Sequence, residues 1–411
     1  MIKKILIFNH DDYNQFISTL VEGLKTFKDI ELFSTSKINY SSDIVIKSKR
    51  VYEVGHNLEG ADLLKFFPLT PWRVADGGAA NPIIFSKVAD EDEYIEECED
   101  LMEECDLIII VDVGHKYPTA WFKNQEGQSM NYVHNFDSYI THLHEYAIAN
   151  HKDKIAFLDT ISTYFIDNEY TMYGKYVGGS PAYCKVYFKR EKSLDLEWFD
   201  NVVPFPRAAE ERYFTGGKNF NKIWNNKDLD IAALFRIGGN NSRKIIKDTL
   251  IKHYGDNEKC NFVNVFDFGD ARNREIDNKL YGFNKDELGK GTWHHHSYFE
   301  TILRSKVSVE CPQFQGWGFY TYRMWESLAN GCCYFYPSPT YNVDFPNGLI
   351  DGEDFIIYND SDDLIEKMEY YWLHEDEMIT IAENGFNKLV KYHTSEVRAK
   401  EFLETCERYM E

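Results

Sequence analysis

The stretch CDLIIIVDVG, at positions 105–114, holds an uninterrupted apolar run from Leu107 to Val111 in which four of five residues are β-branched. A strand with one face in water alternates polar and apolar residues, whereas a run apolar at every position belongs to a strand covered on both faces. Parallel sheets with helices on either side provide that cover. The neighbouring segments agree. KKILIFN reads as a strand, and the residues that follow to about Phe27 repeat at helical spacing, with Phe16, Leu20 and Leu24 on one side. IELFST and DIVIKS are short strand candidates. An acidic helix near residues 90–105 leads into the apolar run, SYITHLHEYAIANH reads as the next helix and KIAFLDT as the next strand. Strand and helix in turn imply a parallel sheet with helical crossovers.

Between about residues 170 and 228 this rhythm breaks into segments rich in Gly, Pro, Asn and aromatics, the best candidate for an interdomain connection. A second alternating series starts at DLDIAALFRIGGNNSRKIIKDTLIKHYG, with NFVNVFDF, KVSVEC, CCYFYP and DFIIYND as further strands and SYFETILRS as a helix. Two or three helices close the chain. A length of 411 residues suits two domains of roughly 200 residues each. The expected boundaries are 1–205 and 229–390 for two Rossmann-like domains, 206–228 for a linker, and 391–411 for a C-terminal helix crossing back to the first domain.

A net charge of −22 sets up a field that repels free duplex DNA, so general nucleic-acid binding is disfavoured. The eight cysteines are scattered, with no CxxC pair, which points to reduced thiols in a cytoplasmic protein rather than a disulfide framework or zinc ribbon. No apolar run is long enough for a transmembrane span, and the N-terminus reads as a buried strand rather than a signal peptide.

In open parallel sheets ligands bind outside the carboxyl ends of the strands. In the first half that rule selects His10, Asp11, Asp12, Asp112, His115 and Asp159, with Asp11, His115 and Asp159 as candidate catalytic acid/base groups; a turn former or cap would carry the same residue types. In the second half it selects FRIGGNNSRK, where Gly238 would let the backbone approach an anion and Arg236 and Arg243 would bond a diphosphate. An ordinary strand–turn–helix capped by Asn or Ser accounts for that segment equally well. His294, His295 and His296 are consecutive, so their side chains diverge, and no HExxH occurs: no metal site is expected. His142 and His144 do not face each other on a helix and read as structural.

GWGFYTYRMWESLANG sets Arg323 and Glu326 one helical turn apart, behind a glycine-bearing loop and before Gly331. An exposed ion pair on any surface helix would look the same. The neighbours argue otherwise, since Tyr320, Tyr322, Met324, Trp325 and Leu328 are apolar and a strand follows at once. A helix between two buried strands points its N-terminal loop at the ligand crevice. There a carboxylate can take both ribose hydroxyls and a guanidinium can hold phosphate.

YFETILRSKVSVECPQFQGWGFYTYRMWESLANGCCYFYP, followed by IIYNDSDDLIEKM and IAENGFNKLVKYHTSEVRAKEFL, resembles the C-terminal half of GT-B glycosyltransferases, particularly CgeB-like, exostosin-like and group 1 transferases. YCKVYFKRE and VVPFPRAAEERYF resemble the strand and crossover leading into that half. The resemblance covers most of residues 180–411. It implies two Rossmann-like α/β domains facing across a cleft with a C-terminal helical tail, the first taking the acceptor and the second the nucleotide-sugar donor. It also implies that Glu326 binds the donor ribose, that Arg323, Arg236 and Arg243 neutralise its diphosphate, and that Gly316 and Gly318 let the loop pass the donor. Position 318, where the E-x7-E pattern of the retaining branch has a glutamate, is Gly.

The expected activity is transfer of a sugar from a UDP- or GDP-linked donor to an acceptor hydroxyl on a glycan, protein, small molecule or modified DNA base, without cofactor or metal. The competing readings are a non-catalytic nucleotide- or glycan-binding protein and a phage-type DNA-base glycosyltransferase. Donor identity, acceptor and oligomeric state are left open.

Overall fold

The computed structural model describes residues 2–8, 15–34, 51–53, 91–111, 138–159, 181–235, 241–255, 260–264, 296–311, 321–339 and 342–411. The chain divides into two units, Met1–Phe205 with Ala399–Glu411, and Pro206–Arg398.

The first unit contains β1 (Lys4–Phe8), α1 (Gln15–Leu24), β2 (Glu31–Ser34), β3 (Val51–Glu53), α2 (Glu91–Glu104), β4 (Leu107–Val111), α3 (Ser138–His151), β5 (Ile155–Asp159), β6 (Val186–Lys189) and β7 (Val202–Pro204). Its seven strands are parallel, in the order β3-β2-β1-β4-β5-β6-β7. The apolar run of β4 is buried along its whole length, and its alternation feeds two layers. Leu107, Ile109 and Val111 join Leu20 and Leu24 of α1 on one face. Ile108 and Ile110 join Cys98 and Met102 of α2 and Leu143 of α3 on the other. The order reverses between β1 and β4, the switch point of a doubly wound sheet. The strand expected in DIVIKS lies outside the described residues. β6 and β7 fall inside the stretch expected to be a connection, and they extend the sheet instead.

The second unit contains α4 (Phe220–Trp224), β8 (Leu229–Ala233), α5 (Asn241–Tyr254), β9 (Phe262–Asn264), α6 (His296–Arg304), β10 (Ser305–Val309), α7 (Tyr322–Ala329), β11 (Cys333–Pro337), β12 (Ile356–Tyr358), α8 (Ser361–Leu373) and α9 (Glu375–Tyr392). The last helix, α10 (Ser395–Met410), begins here and ends in the first unit, where Phe402, Leu403 and Cys406 join the layer of α1. The five strands are again parallel, in the order β12-β11-β10-β8-β9, with the switch point between β8 and β10.

Residues 206–228, expected to be a linker, are part of the second unit. Tyr213, Phe214, Phe220 and Ile223 lie in its core. Lys227 Nζ donates to the carbonyls of Leu303, Ser305 and Asn330 at 3.0, 2.7 and 2.8 Å. Gly331, at φ 65°, closes α7 against Phe220 and Ile223, a left-handed turn that glycine takes without steric cost. Gly, Pro and Asn signal irregular backbone, but not whether that backbone is packed.

The turn between α9 and α10 is pinned by the same segment: Ala209 N donates to the His393 carbonyl at 2.7 Å and Ser395 N to the Ala209 carbonyl at 2.8 Å. The His393 ring packs against Trp325 and Phe345, with centroids 5.1 and 4.9 Å away. Its Nε2 donates to the Asn347 carbonyl at 2.9 Å, and Nδ1 accepts from Arg398 at 3.2 Å. Burial, and then the Arg398 charge, push its pKa down to about 3.

Two outcomes are expected. Phe220→Ala should destabilise the second unit by about 3–5 kcal/mol in denaturant unfolding, while Asn221→Ala on the exposed side of the same turn stays within about 0.5 kcal/mol. Below pH 6.5 the unfolded His393 takes up a proton that the folded ring refuses, so stability falls as pH drops from 6.5 toward 3. Comparing wild type with His393→Gln between pH 7 and 5 should show that the wild type alone carries this component, on the order of 1 kcal/mol per pH unit.

Candidate functional site

Strand β10 ends at Val309, beside the switch point of the second sheet, and the next residue, Glu310, is a carboxylate only 2% exposed. A buried carboxylate requires donors, and here elements distant in sequence supply them. Thr321 Oγ1 donates to Glu310 at 2.6 Å and Arg323 Nη1 at 2.9 Å. The Tyr334 hydroxyl, on β11, donates to the same carboxylate. Burial first, and the charge of Glu310 next, raise the Tyr334 pKa well above that of an ordinary tyrosine, so this hydroxyl keeps its proton. The backbone of Glu310 is engaged as well: its N–H donates to the Phe335 carbonyl at 3.0 Å, and its carbonyl accepts from the Tyr358 hydroxyl at 2.6 Å.

Helix α7 carries the two residues that the sequence singles out. Thr321 is its N-cap, accepting from Met324 N, and Gly331 follows its C-terminus. Every residue from Met324 to Ala329 is buried, so this is no surface helix. Ser327 Oγ lies 2.8 Å from Ser308 Oγ of β10, which ties the helix to the strand beneath it. Arg323 and Glu326 do not form the ion pair that their spacing permits. Arg323 answers to Glu310. Glu326, 2% exposed, lies in the electrostatic field of Arg212 and Tyr213 from the segment that precedes α4. Arg212 Nε donates to Glu210 at 2.5 Å. Burial works against the Arg212 charge, but Tyr213, Glu210 and Glu326 outweigh it and its pKa is raised. Nearby, Arg207 stacks over the Tyr322 ring at 3.7 Å from its centroid.

Arg243 converges on the same corner. It sits in the first turn of α5, buried, and its Nε donates to the carbonyl of Cys311 at 2.7 Å. Two arginines expected to serve one ligand thus anchor on adjacent residues, Glu310 and Cys311, at the carboxyl end of β10. Glu310, Tyr334 and Arg212 were not singled out from the sequence. Glu310 did carry a signal, as a carboxylate at the carboxyl end of the strand expected in KVSVEC.

Arg236, Gly238, Gly316 and Gly318 lie outside the described residues, as do His10, Asp11, Asp12, Asp112, His115, His294 and His295. Asp159 ends β5, and its carboxylate accepts from Lys189 Nζ and the Tyr187 hydroxyl, both at 2.8 Å. His142 pairs with Glu99 at 2.6 Å. Among the described residues, no group of three or more His, Cys, Asp or Glu could hold a metal ion, and no helix is long and apolar enough to cross a membrane.

Comparison with known proteins addresses the same region. Residues 267–404 match the family described as glycosyl transferase-like. No curated protein matches. Among solved structures, a glycosyltransferase from Rickettsia africae ESF-5 has a TM-score of 0.57 at 10% identity, covering 100% of this chain and 99% of that one. Anabaena Alr3699/HepE, solved with UDP, has a TM-score of 0.55 at 8% identity, covering 99% and 100%. The same Anabaena protein with UDP-glucose has a TM-score of 0.51 at 9% identity, covering 98% and 99%. Two doubly wound parallel sheets and these likenesses agree that the chain has the GT-B fold, and the segment that matches the glycosyl transferase-like family, residues 267–404, contains α7.

Proposed function

We propose that this protein is a glycosyltransferase that uses a nucleotide-sugar donor, held at the carboxyl end of β10 by α7 and α5. The observation that carries this reading is the convergence of Arg323 and Arg243 on Glu310 and Cys311, beside the switch point of the second sheet. As the donor bond breaks, negative charge collects on the departing diphosphate, and fixed cations there lower the barrier without reorganising. Arg323 is assigned to the diphosphate and Glu326 to the ribose hydroxyls. Arg236, Gly238, Gly316 and Gly318 stand as further donor contacts by their place in the sequence after β8 and β10. UDP in the Anabaena protein favours a uridine nucleotide, and no metal is assigned a role. For proton removal from the acceptor, Asp11 and His115 are the favoured groups, since in the sequence they follow β1 and β4, the two strands that flank the switch point of the first sheet. Asp159 is read as an anchor, because Lys189 and Tyr187 engage its carboxylate. Eight free thiols favour a cytoplasmic location.

A thermal-shift screen against UDP, GDP and their sugars tests the donor assignment. A nucleotide at a hundred times its Kd should stabilise the protein by about 2.7 kcal/mol. Arg323→Gln should weaken nucleoside diphosphate binding on the order of 10- to 100-fold, the loss of one charge-assisted contact. Glu326→Gln should slow release of UDP or GDP from the sugar donor. Tight nucleotide binding with no turnover of any donor would instead favour a binding protein.

A further inference from the structure

We infer that Glu310 is a positioning residue for the donor site: its buried carboxylate fixes the guanidinium of Arg323 toward the diphosphate. The inference rests on the reading of Arg323 given above. A buried ion pair is weak evidence for stability, because desolvation of both charges offsets their attraction. The Glu310–Arg323 pair is also asymmetric: the carboxylate is 2% exposed, while the guanidinium side chain is 19% exposed. The hidden partner holds, and the partly open partner is held.

The remaining bonds explain why the carboxylate itself does not move. Oε2 accepts from Thr321 and Tyr334, while Oε1 takes Arg323. Thr321 is fixed because the same oxygen caps α7. Tyr334 is fixed by β11 and stacks on Tyr336 at 5.9 Å between ring centroids. Three donors on a buried acceptor leave one orientation for the carboxylate, and hence one for the Nη1 edge of Arg323. A guanidinium so held meets a diphosphate without first losing rotamer freedom, which a free arginine would lose on binding. In Glu310→Gln the NH2 turns to the two hydroxyls, which can accept, and the remaining oxygen meets Arg323 only as a neutral acceptor. The charge that makes this bond short and strong is lost, and the guanidinium is held less firmly.

The test compares UDP with uridine, which lacks the diphosphate, by calorimetry on the full chain, with GDP and guanosine run in parallel. Glu310→Gln should weaken UDP at least about 10-fold and leave uridine within about twofold. In a double-mutant cycle with Arg323→Gln, adding Glu310→Gln should cost little more, because the carboxylate acts through the arginine. Equal losses for UDP and uridine would mean a merely structural role and overturn the inference. So would losses that multiply in the double variant, or tighter UDP binding by Glu310→Gln. If Arg323→Gln leaves UDP binding intact, the diphosphate assignment of Arg323 fails, and the inference with it. Tyr334→Phe removes one donor while keeping the charge pair. It should show a smaller loss, about threefold, confined to UDP, and it carries the test if Glu310→Gln does not fold.

Discussion

A carboxylate taken out of water at the end of a buried strand must be met by donors or give up its charge. Glu310 imposes that requirement on the second unit: three side chains from α7 and β11 meet its carboxylate, and one from β12 meets its carbonyl. Thr321 caps α7, Arg323 lies on its first turn, Tyr334 rises from β11, and Tyr358 reaches over from β12 to the Glu310 carbonyl. Arg243 secures the next carbonyl from α5. The strand end beside the switch point is therefore also the place where the packing of three strands and two helices is coordinated.

A second set of charges lies one turn further along α7, at Glu326. Glu326, Arg212 and Glu210 occupy a part of the fold built by residues 206–228, with Tyr213 beside them in the core. This segment has little regular structure, yet it carries Arg212, whose charge lies in the field of Glu326, and closes α7 against Phe220 and Ile223. The same segment receives the turn before α10 through Ala209. An irregular stretch with buried polar groups must satisfy its backbone with specific partners. Here the partners are α7 and the turn at His393.

Much of the fold was legible because periodicity reports burial directly. Leu107 to Val111 could be read as a two-sided strand, and the structure sends alternate residues to the two layers as that reading requires. The Gly331 stop, the three closing helices and the strands around α7 were legible for the same reason. β7 and the packed state of residues 206–228 were not, and β6 was reached only through the family resemblance of YCKVYFKRE. Short strands among prolines and glycines carry too few residues to establish a period, and whether irregular chain is buried depends on what lies against it.

What the sequence determined alone was the class, two α/β units with parallel sheets, and the presence on one helix of an arginine and a glutamate one turn apart. What only the tertiary structure decided was whom they face. At i and i+3 the two side chains are within reach of each other on any helix, so local geometry favours the pair. Burial overrides it: once α7 is packed against β11 and α9, each charge must be met from the side it faces. Arg323 then turns to Glu310, thirteen residues back in the chain, and Glu326 lies in the field of Arg212. Spacing along a helix sets which residues can meet; desolvation, which depends on the whole fold, selects the partners that do.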